Sequence, residues 1–172
     1  VPPLSAPETL RADHDVSQFD CGKPALTNWL RNRAQANQRH GFSAVVVVHD
    51  AMRVVGYYGL APFSVDPSNL PRSIRTGQPP SPVPCLLLGQ LATDRAHAGQ
   101  GIGSLLLRHA LTRAVAGAEL IGGRALILHA IDDEAAAFWR RRGFIPVRDE
   151  PLLLFRSIHE IAATLAAMDP SV

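Results

Sequence analysis

Apolar residues recur at helical spacing across residues 23–40, with Ala25, Leu26, Trp29, Leu30 and Ala34 on one stripe. Ser17, Asp20 and Gly22 read as turn and cap residues before it, and Gly41 ends it. Two β-branched runs follow, at 42–49 and 54–60. Asp50 and Arg53 bracket a short turn between them, which predicts a hairpin. The stretch 65–84 is rich in proline and has no period, so it reads as a long loop. An apolar strand at 85–92 leads into a polar turn, then three glycines, then a helix at 102–116. Leu105, Leu106, Ala110, Leu111 and Ala114 face one way on it. A strand at 125–130 comes next. Asp132 or Asp133 caps a helix that ends at Gly143. Runs at 144–147 and 152–155 read as paired strands. Ser157 and Glu160 form a capping box for a last helix, with Ile161, Leu165 and Met168 on its apolar face. No repeat is present. The order of elements predicts an α/β (α+β) sandwich.

Composition narrows the class. The 172 residues suit one domain spanning 1–172. No apolar run reaches the roughly 20 residues that cross a bilayer, and residues 1–4 lack the features of a signal peptide. Cys21 and Cys85 read as reduced thiols, and the expected compartment is cytoplasmic. No set of His, Cys and carboxylates has metal-ligand spacing, so no metal is expected. Net charge is +2, and Lys23 is the sole lysine among 17 basic residues. Arginine forks match phosphate oxygens in a bidentate way.

The segment 86–110 carries the chemistry. A strand that ends in a glycine-rich turn and opens a helix is a phosphate cradle: the backbone approaches closely, and free N–H groups face the anion. Two nucleotide readings fail here. No lysine precedes Ser104, as a P-loop requires. The spacing Gly99-x-Gly101-x-Gly103 is not the Gly-x-Gly-x-x-Gly of dinucleotide folds.

Residues Ala98, Gly99, Gln100, Gly101, Ile102 and Gly103 fall on the frame Gln/Arg-x-x-Gly-x-Gly/Ala. Ala135, Phe138, Trp139, Gly143 and Phe144 fall on Asn-x-x-Ala-x-x-Phe-Tyr-x-x-x-Gly-Phe. On these two blocks the chain resembles the GNAT acetyltransferases over about residues 8–166. The turn Phe19-Asp20-Cys21-Gly22, the helix with Leu26, Trp29 and Leu30, and the run Leu88-Gly89-Gln90-Leu91-Ala92-Thr93-Asp94 narrow the resemblance to tRNA-acetylating toxins of the TacT type.

The resemblance implies a GNAT fold, a mixed central sheet of about six to seven strands flanked by helices. It implies acetyl-CoA as co-substrate and the α-amino group of aminoacyl-tRNA as acceptor. It also implies a ribbon-helix-helix antitoxin as partner, a homodimer and no membrane association. In such a fold Leu91, Ala92 and Thr93 line the pantetheine arm, and a backbone N–H near Leu91 meets the oxyanion. The loop of Ala98, Gly99, Gln100, Gly101, Ile102, Gly103 and Ser104 binds the pyrophosphate. Asp132, Ala135, Phe138 and Trp139 flank the thioester.

Two departures from the pattern matter. Ala98 replaces a Gln or Arg side chain, and Arg95 or Gln100 are the candidates to compensate. Trp139 stands where the family has a tyrosine acid, and an indole N–H does not release its proton. Tyr57 and Tyr58 are the only tyrosines left for that role. Arg72 and Arg75 in the long loop are candidates for the tRNA, with Arg31, Arg33 and Arg39 on the first helix. His97 reads as an exposed turn histidine, and His129 as packed or solvated. Two other readings stay open: a CoA-binding protein with weakened or lost catalysis, and an acetyltransferase acting on a small amine or a protein N-terminus.

Overall fold

The computed structural model describes residues 3–168. Seven strands are hydrogen-bonded in the order β1-β2-β3-β4-β5-β7-β6. They are β1 (Glu8–Thr9), β2 (Ala44–Asp50), β3 (Arg53–Val65), β4 (Val83–Thr93), β5 (Ala125–His129), β6 (Ile145–Val147) and β7 (Glu150–Ser157). The helices are α1 (Pro24–Asn32), α2 (Ala34–Arg39), α3 (Arg72–Arg75), α4 (Ile102–Ile121), α5 (Asp133–Arg140) and α6 (Ile158–Met168). The chain groups into two compact units. One holds residues 1–61 and 89–110, the other 62–88 and 111–172.

In the first unit the predicted hairpin forms. β2 and β3 pair antiparallel from Ala44↔Leu60 to Asp50↔Arg53, with a bulge between Val48 and His49. Its turn places Ala51 and Met52 at positive φ. Val45 to Val48 are all buried, so β2 is covered on both faces. The short strand β1 pairs antiparallel with β2 through Glu8↔Val47 and Thr9↔Val46. The helix expected across 23–40 is two helices. The break falls at Arg33, whose φ of −128° leaves the helical region. Leu30, Ala34, Phe19 and Tyr57 pack with Val45, Val47 and Ala92 in the core of this unit.

In the second unit β4 and β5 run parallel, with Leu86↔Leu126 and Leu87↔Ile127 in register. β7 pairs antiparallel with β5 and with β6. The expected loop 65–84 is not irregular throughout. It contains a 3-10 turn at Pro67–Asn69 and the one-turn helix α3, anchored by the buried Ile74. Arg124 donates from Nε to the Ile74 carbonyl and from a terminal nitrogen to Thr76. Val65, Leu70, Ile74, Val83, Ala125, Ile127 and Phe155 form the core. Ser157 Oγ accepts from Glu160 N–H, as the capping box predicted. Among the described residues no helix is long and apolar enough to cross a membrane.

Candidate active site

In the first unit, β4 ends at Thr93 and a single 3-10 turn, Arg95–His97, leads to the glycine loop. Asp94 fixes this corner. Its carboxylate is almost fully buried and accepts from Ala96 N–H at 2.9 Å and from Asp20 N–H at 3.1 Å. Two independent backbone segments are therefore tied to one side chain, so the loop leaves the strand at a set angle.

Ala98 follows in extended conformation. Gly99 and Gly101 both have φ of +80°, a conformation that side-chain-bearing residues rarely adopt. A Cβ placed on either would meet nothing within 4 Å, so the glycines serve the backbone angle and open space, not close packing. Gly99, Gln100 and Gly101 are exposed. Leu105 N–H donates to the Gly101 carbonyl, so α4 begins there. The first N–H groups of a helix have no intrahelical acceptor. Those of Ile102, Gly103 and Ser104 thus join an exposed loop that suits an anion. Ile102 itself turns its side chain into the core, and Gly103 lies beside the Thr93 hydroxyl. Leu91 and Thr93 are half-buried on β4, while Ala92 is buried. All the loop and strand residues read from the sequence therefore fall on one continuous β4–loop–α4 segment.

Compensation for Ala98 is narrowed. Arg95 is engaged by Asp20, N–O 2.6 Å, on an exposed surface. Gln100 keeps an exposed side chain with no partner among the described residues. His97 is not the exposed histidine expected. It is partly buried, and Nδ1 lies 3.5 Å from Asp94 Oδ1, too long for a hydrogen bond.

In the second unit, Asp132 is the cap of α5, accepting from Ala135 N–H at 2.8 Å. Trp139 is 8% exposed. Its ring meets Phe138 and Phe144 edge-on, with centroids 5.1 and 5.2 Å away. Position 139 is thus set in an aromatic cluster that fixes the indole's orientation. Arg142 folds back over the Phe138 ring, 3.5 Å from its centroid, and donates to the Phe138 carbonyl. Partial burial lowers its pKa, and the neighbouring charge of Arg141 adds to this. One of the three consecutive arginines is therefore used inside its own helix end. His129 is exposed and meets the Phe63 ring edge-on.

Neither tyrosine is free to replace the missing phenol. Tyr57 is buried and its hydroxyl donates to the Leu26 carbonyl at 2.6 Å; burial raises its pKa well above the usual phenol range. The Tyr58 hydroxyl lies 2.6 Å from His109 Nδ1 on the opposite side of the strand. Arg31 on α1 and Arg72 and Arg75 on α3 are exposed and carry no ion pair among the described residues.

One group escaped the spacing argument. Glu8, His14 and His49 bring ligand atoms within 4.8 Å of one another, although the three are scattered over 42 residues of sequence. Arg11 N–H donates to His14 Nδ1 and Met52 N–H donates to His49 Nδ1. Both neutral rings therefore carry their proton on Nε2, and both Nε2 atoms reach Glu8 Oε1, at 2.7 and 2.8 Å. The His14 bond is the first cause of a lowered Glu8 pKa. With both Nε2 lone pairs taken by protons, the cluster is a hydrogen-bonded staple of β1 onto β2.

Comparison with known proteins supports this geometry. The profile of the acetyltransferase (GNAT) domain matches residues 40–146. A Mycobacterium tuberculosis protein described as a tRNA-acetylating toxin is 41% identical over 161 residues, covering 94% of this chain and 96% of that one. The structure of AtaT complexed with acetyl-methionyl-tRNAfMet superposes with a TM-score of 0.84 at 28% identity, covering 94% of this chain and 99% of AtaT. An AtaT mutant toxin bound to acetyl-CoA and the C-terminus of the antitoxin AtaR gives 0.79 at 28% identity, covering 96% and 99%. A domain match over most of the chain, joined to a close relative along nearly all of it and to a loop of this form after β4, makes the chain a member of the GNAT acetyltransferase family.

Proposed function

We propose that this chain transfers acetyl from acetyl-CoA to the α-amino group of aminoacyl-tRNA, as the toxin of a toxin–antitoxin pair. The observation that carries the reading is the β4–loop–α4 segment in a chain so similar to a tRNA-acetylating toxin. Loop residues 98–104 bind the pyrophosphate through backbone N–H groups, with the exposed side chains of Gln100 and Ser104 beside them. The Leu91 N–H stabilises the oxyanion, and Ala92 and Thr93 flank the pantetheine. Asp132 sets the start of α5, so that Ala135, Phe138 and Trp139 border the thioester.

The amine needs little help to attack: a free α-amino pKa is near 7.7 and esterification of the carboxyl lowers it further, so a reactive share is unprotonated at neutral pH. A thiol pKa near 8.5 makes the thiolate a tolerable leaving group. As the C–N bond forms and the C–S bond breaks, Trp139 donates a hydrogen bond to the sulfur, and water takes the proton that the nitrogen loses and returns one to the thiolate. Turnover then persists without a phenol. Arg31, Arg72 and Arg75 contact tRNA phosphates. The whole chain, 1–172, acts as one catalytic domain, cytoplasmic and homodimeric, and a ribbon-helix-helix antitoxin neutralises it.

Mass spectrometry of charged tRNAs incubated with acetyl-CoA tests the reading. Acetylated aminoacyl-tRNA, with matching CoA release, is expected. CoA release at background, with acetyl-CoA still bound, would favour the CoA-binding protein without catalysis. Acetylation of a polyamine or a peptide N-terminus in its place would favour the third reading.

A further inference from the structure

Ala25, Asn28, Trp29 and Asn32 of α1, with Arg33 at the break that follows it, line an open cleft of about 490 Å³. Their spacing puts them on one side of the helix and its C-terminal end. The side chains of Asn28, Asn32 and Arg33 have no hydrogen bond or ion pair among the described residues. Asparagine is a poor helix former, so two of them four residues apart on an exposed face gain the helix nothing. Each amide presents both a donor and an acceptor. No carboxylate occurs from Cys21 to His49, while Lys23, Arg31, Arg33 and Arg39 do. Arg33 on this cleft, and Arg31 on the same turn of chain, carry no ion pair among the described residues, so the end of α1 presents positive charge that complements a polyanion.

Trp29 is the distinctive member. It is half-buried, and its ring stacks parallel to Tyr57, with centroids 5.9 Å apart and 6° between planes. Tyr57 is itself fixed by its hydrogen bond to Leu26. The indole is thus held rigidly while it lines the cleft. It also lies beside β3, next to the strand β4. A Cβ built on Gly59 would stand 3.6 Å from Trp29 Cη2 and 2.9 Å from Gln90 Oε1. The ring and the end of the Gln90 side chain therefore lie beside the same point of β3, and Gln90 is one residue from Leu91.

The geometry points to this face as the subsite for the unpaired 3′ end of the acceptor RNA, with a base stacked on Trp29, the amides of Asn28 and Asn32 on base or ribose edges, and Arg33 on phosphate. It rests on the aminoacyl-tRNA reading above. An unpaired end is required because duplex bases already stack on one another, and a free base can use an aromatic platform.

The test compares two RNA hairpins of the same stem, one with a single-stranded 3′ overhang and one blunt, in binding to the full chain. The unaltered protein is expected to bind the overhang hairpin about tenfold more tightly, the scale of one base–aromatic stack. Trp29→Leu should erase that preference and Trp29→Phe should keep most of it, with acetyl-CoA affinity unchanged in both. If Trp29→Leu melts at a much lower temperature, Asn32→Glu on the exposed rim should reduce the preference in its place. No overhang preference in the unaltered protein, an undiminished one in Trp29→Leu, or equal loss in Trp29→Phe would overturn the assignment. A protein that prefers the overhang but acetylates no charged tRNA would remove the acetylation reading and keep the subsite. One that acetylates charged tRNA but ignores the overhang would remove the subsite alone.

Discussion

The glycine loop after β4 and the helix α5 make an instructive pair, because the departures from the family pattern at Ala98 and at Trp139 do not weigh the same. At Ala98 a side-chain contact is missing, yet the neighbouring Gly99 and Gly101 keep φ of +80° and the start of α4 stays exposed. On the proposed reading the binding groups are backbone N–H groups, which every residue but proline supplies. At Trp139 the helix, its Asp132 cap and its aromatic surroundings are all intact. What is lost there is a phenol proton, and no backbone group can provide one. A contact made by the backbone survives a side-chain change; a proton carried by one side chain does not.

The largest expected effect breaks the loop at its backbone. Gly101→Val puts a β-branched residue at a φ of +80°, where such residues are outliers. Because a Cβ there meets nothing within 4 Å, any loss reports the backbone angle and not a clash. Acetyl-CoA affinity, measured by calorimetric titration, should fall by about two orders of magnitude if the loop opens away from its cradle form, as 2–3 kcal/mol of binding would dictate. Melting temperature should move little. An unchanged affinity would take the pyrophosphate away from this loop.

That the loop was legible from the sequence and other parts were not has physical reasons. Gly99, Gly101 and Gly103 constrain a backbone locally, and the apolar stripe of α4 repeats over about three turns. Both signals lie within one window of sequence. Glu8–Thr9 is too short for any period, and it is a strand only because Val46 and Val47 lie beside it. The break at Arg33 has no glycine or proline to announce it. Arg95 reads as a free cation beside the phosphate loop until the fold brings Asp20 to 2.6 Å. Tyr57 and Tyr58 read as equal candidates, because the alternation of a strand sends them to opposite faces only once the strand is placed. The Glu8–His14–His49 cluster follows the same rule: its members meet through pairing of β1 with β2, and no linear spacing encodes that.

An intermediate effect sharpens the other half of the comparison. Trp139→Tyr restores the phenol. General acid assistance is worth about 10²- to 10⁴-fold where a leaving group needs it, but a thiolate needs only part of it. Turnover of charged tRNA should therefore rise about tenfold, with the KM for acetyl-CoA unchanged. The smaller ring leaves space beside Phe138 and Phe144, so stability should fall by less than the ~3–5 kcal/mol of a full truncation. Trp139→Phe removes the N–H while keeping an aromatic ring, and turnover should drop several-fold. If Trp139→Phe matches the unaltered protein, the indole N–H has no part in departure of the sulfur and water alone protonates it.

The smallest effect lies outside both regions, on α3. Arg72 and Arg75 are three residues apart on one exposed helical face, with no carboxylate paired to either among the described residues. Each phosphate contact contributes about 0.7–0.9 to the salt slope of RNA binding. Replacing both by alanine should lower the slope of log K against log salt by about 1.5 and raise the KM for charged tRNA several-fold at moderate salt. Acetyl-CoA affinity and the turnover number at saturating tRNA should stay as they were. The buried anchor of α3 is Ile74, which the double variant leaves untouched. A loss that persists at all salt concentrations would therefore mean that the arginines position the 65–84 segment itself. A loss that vanishes at high salt places them on the RNA backbone, where a contact helps any charged tRNA and selects none.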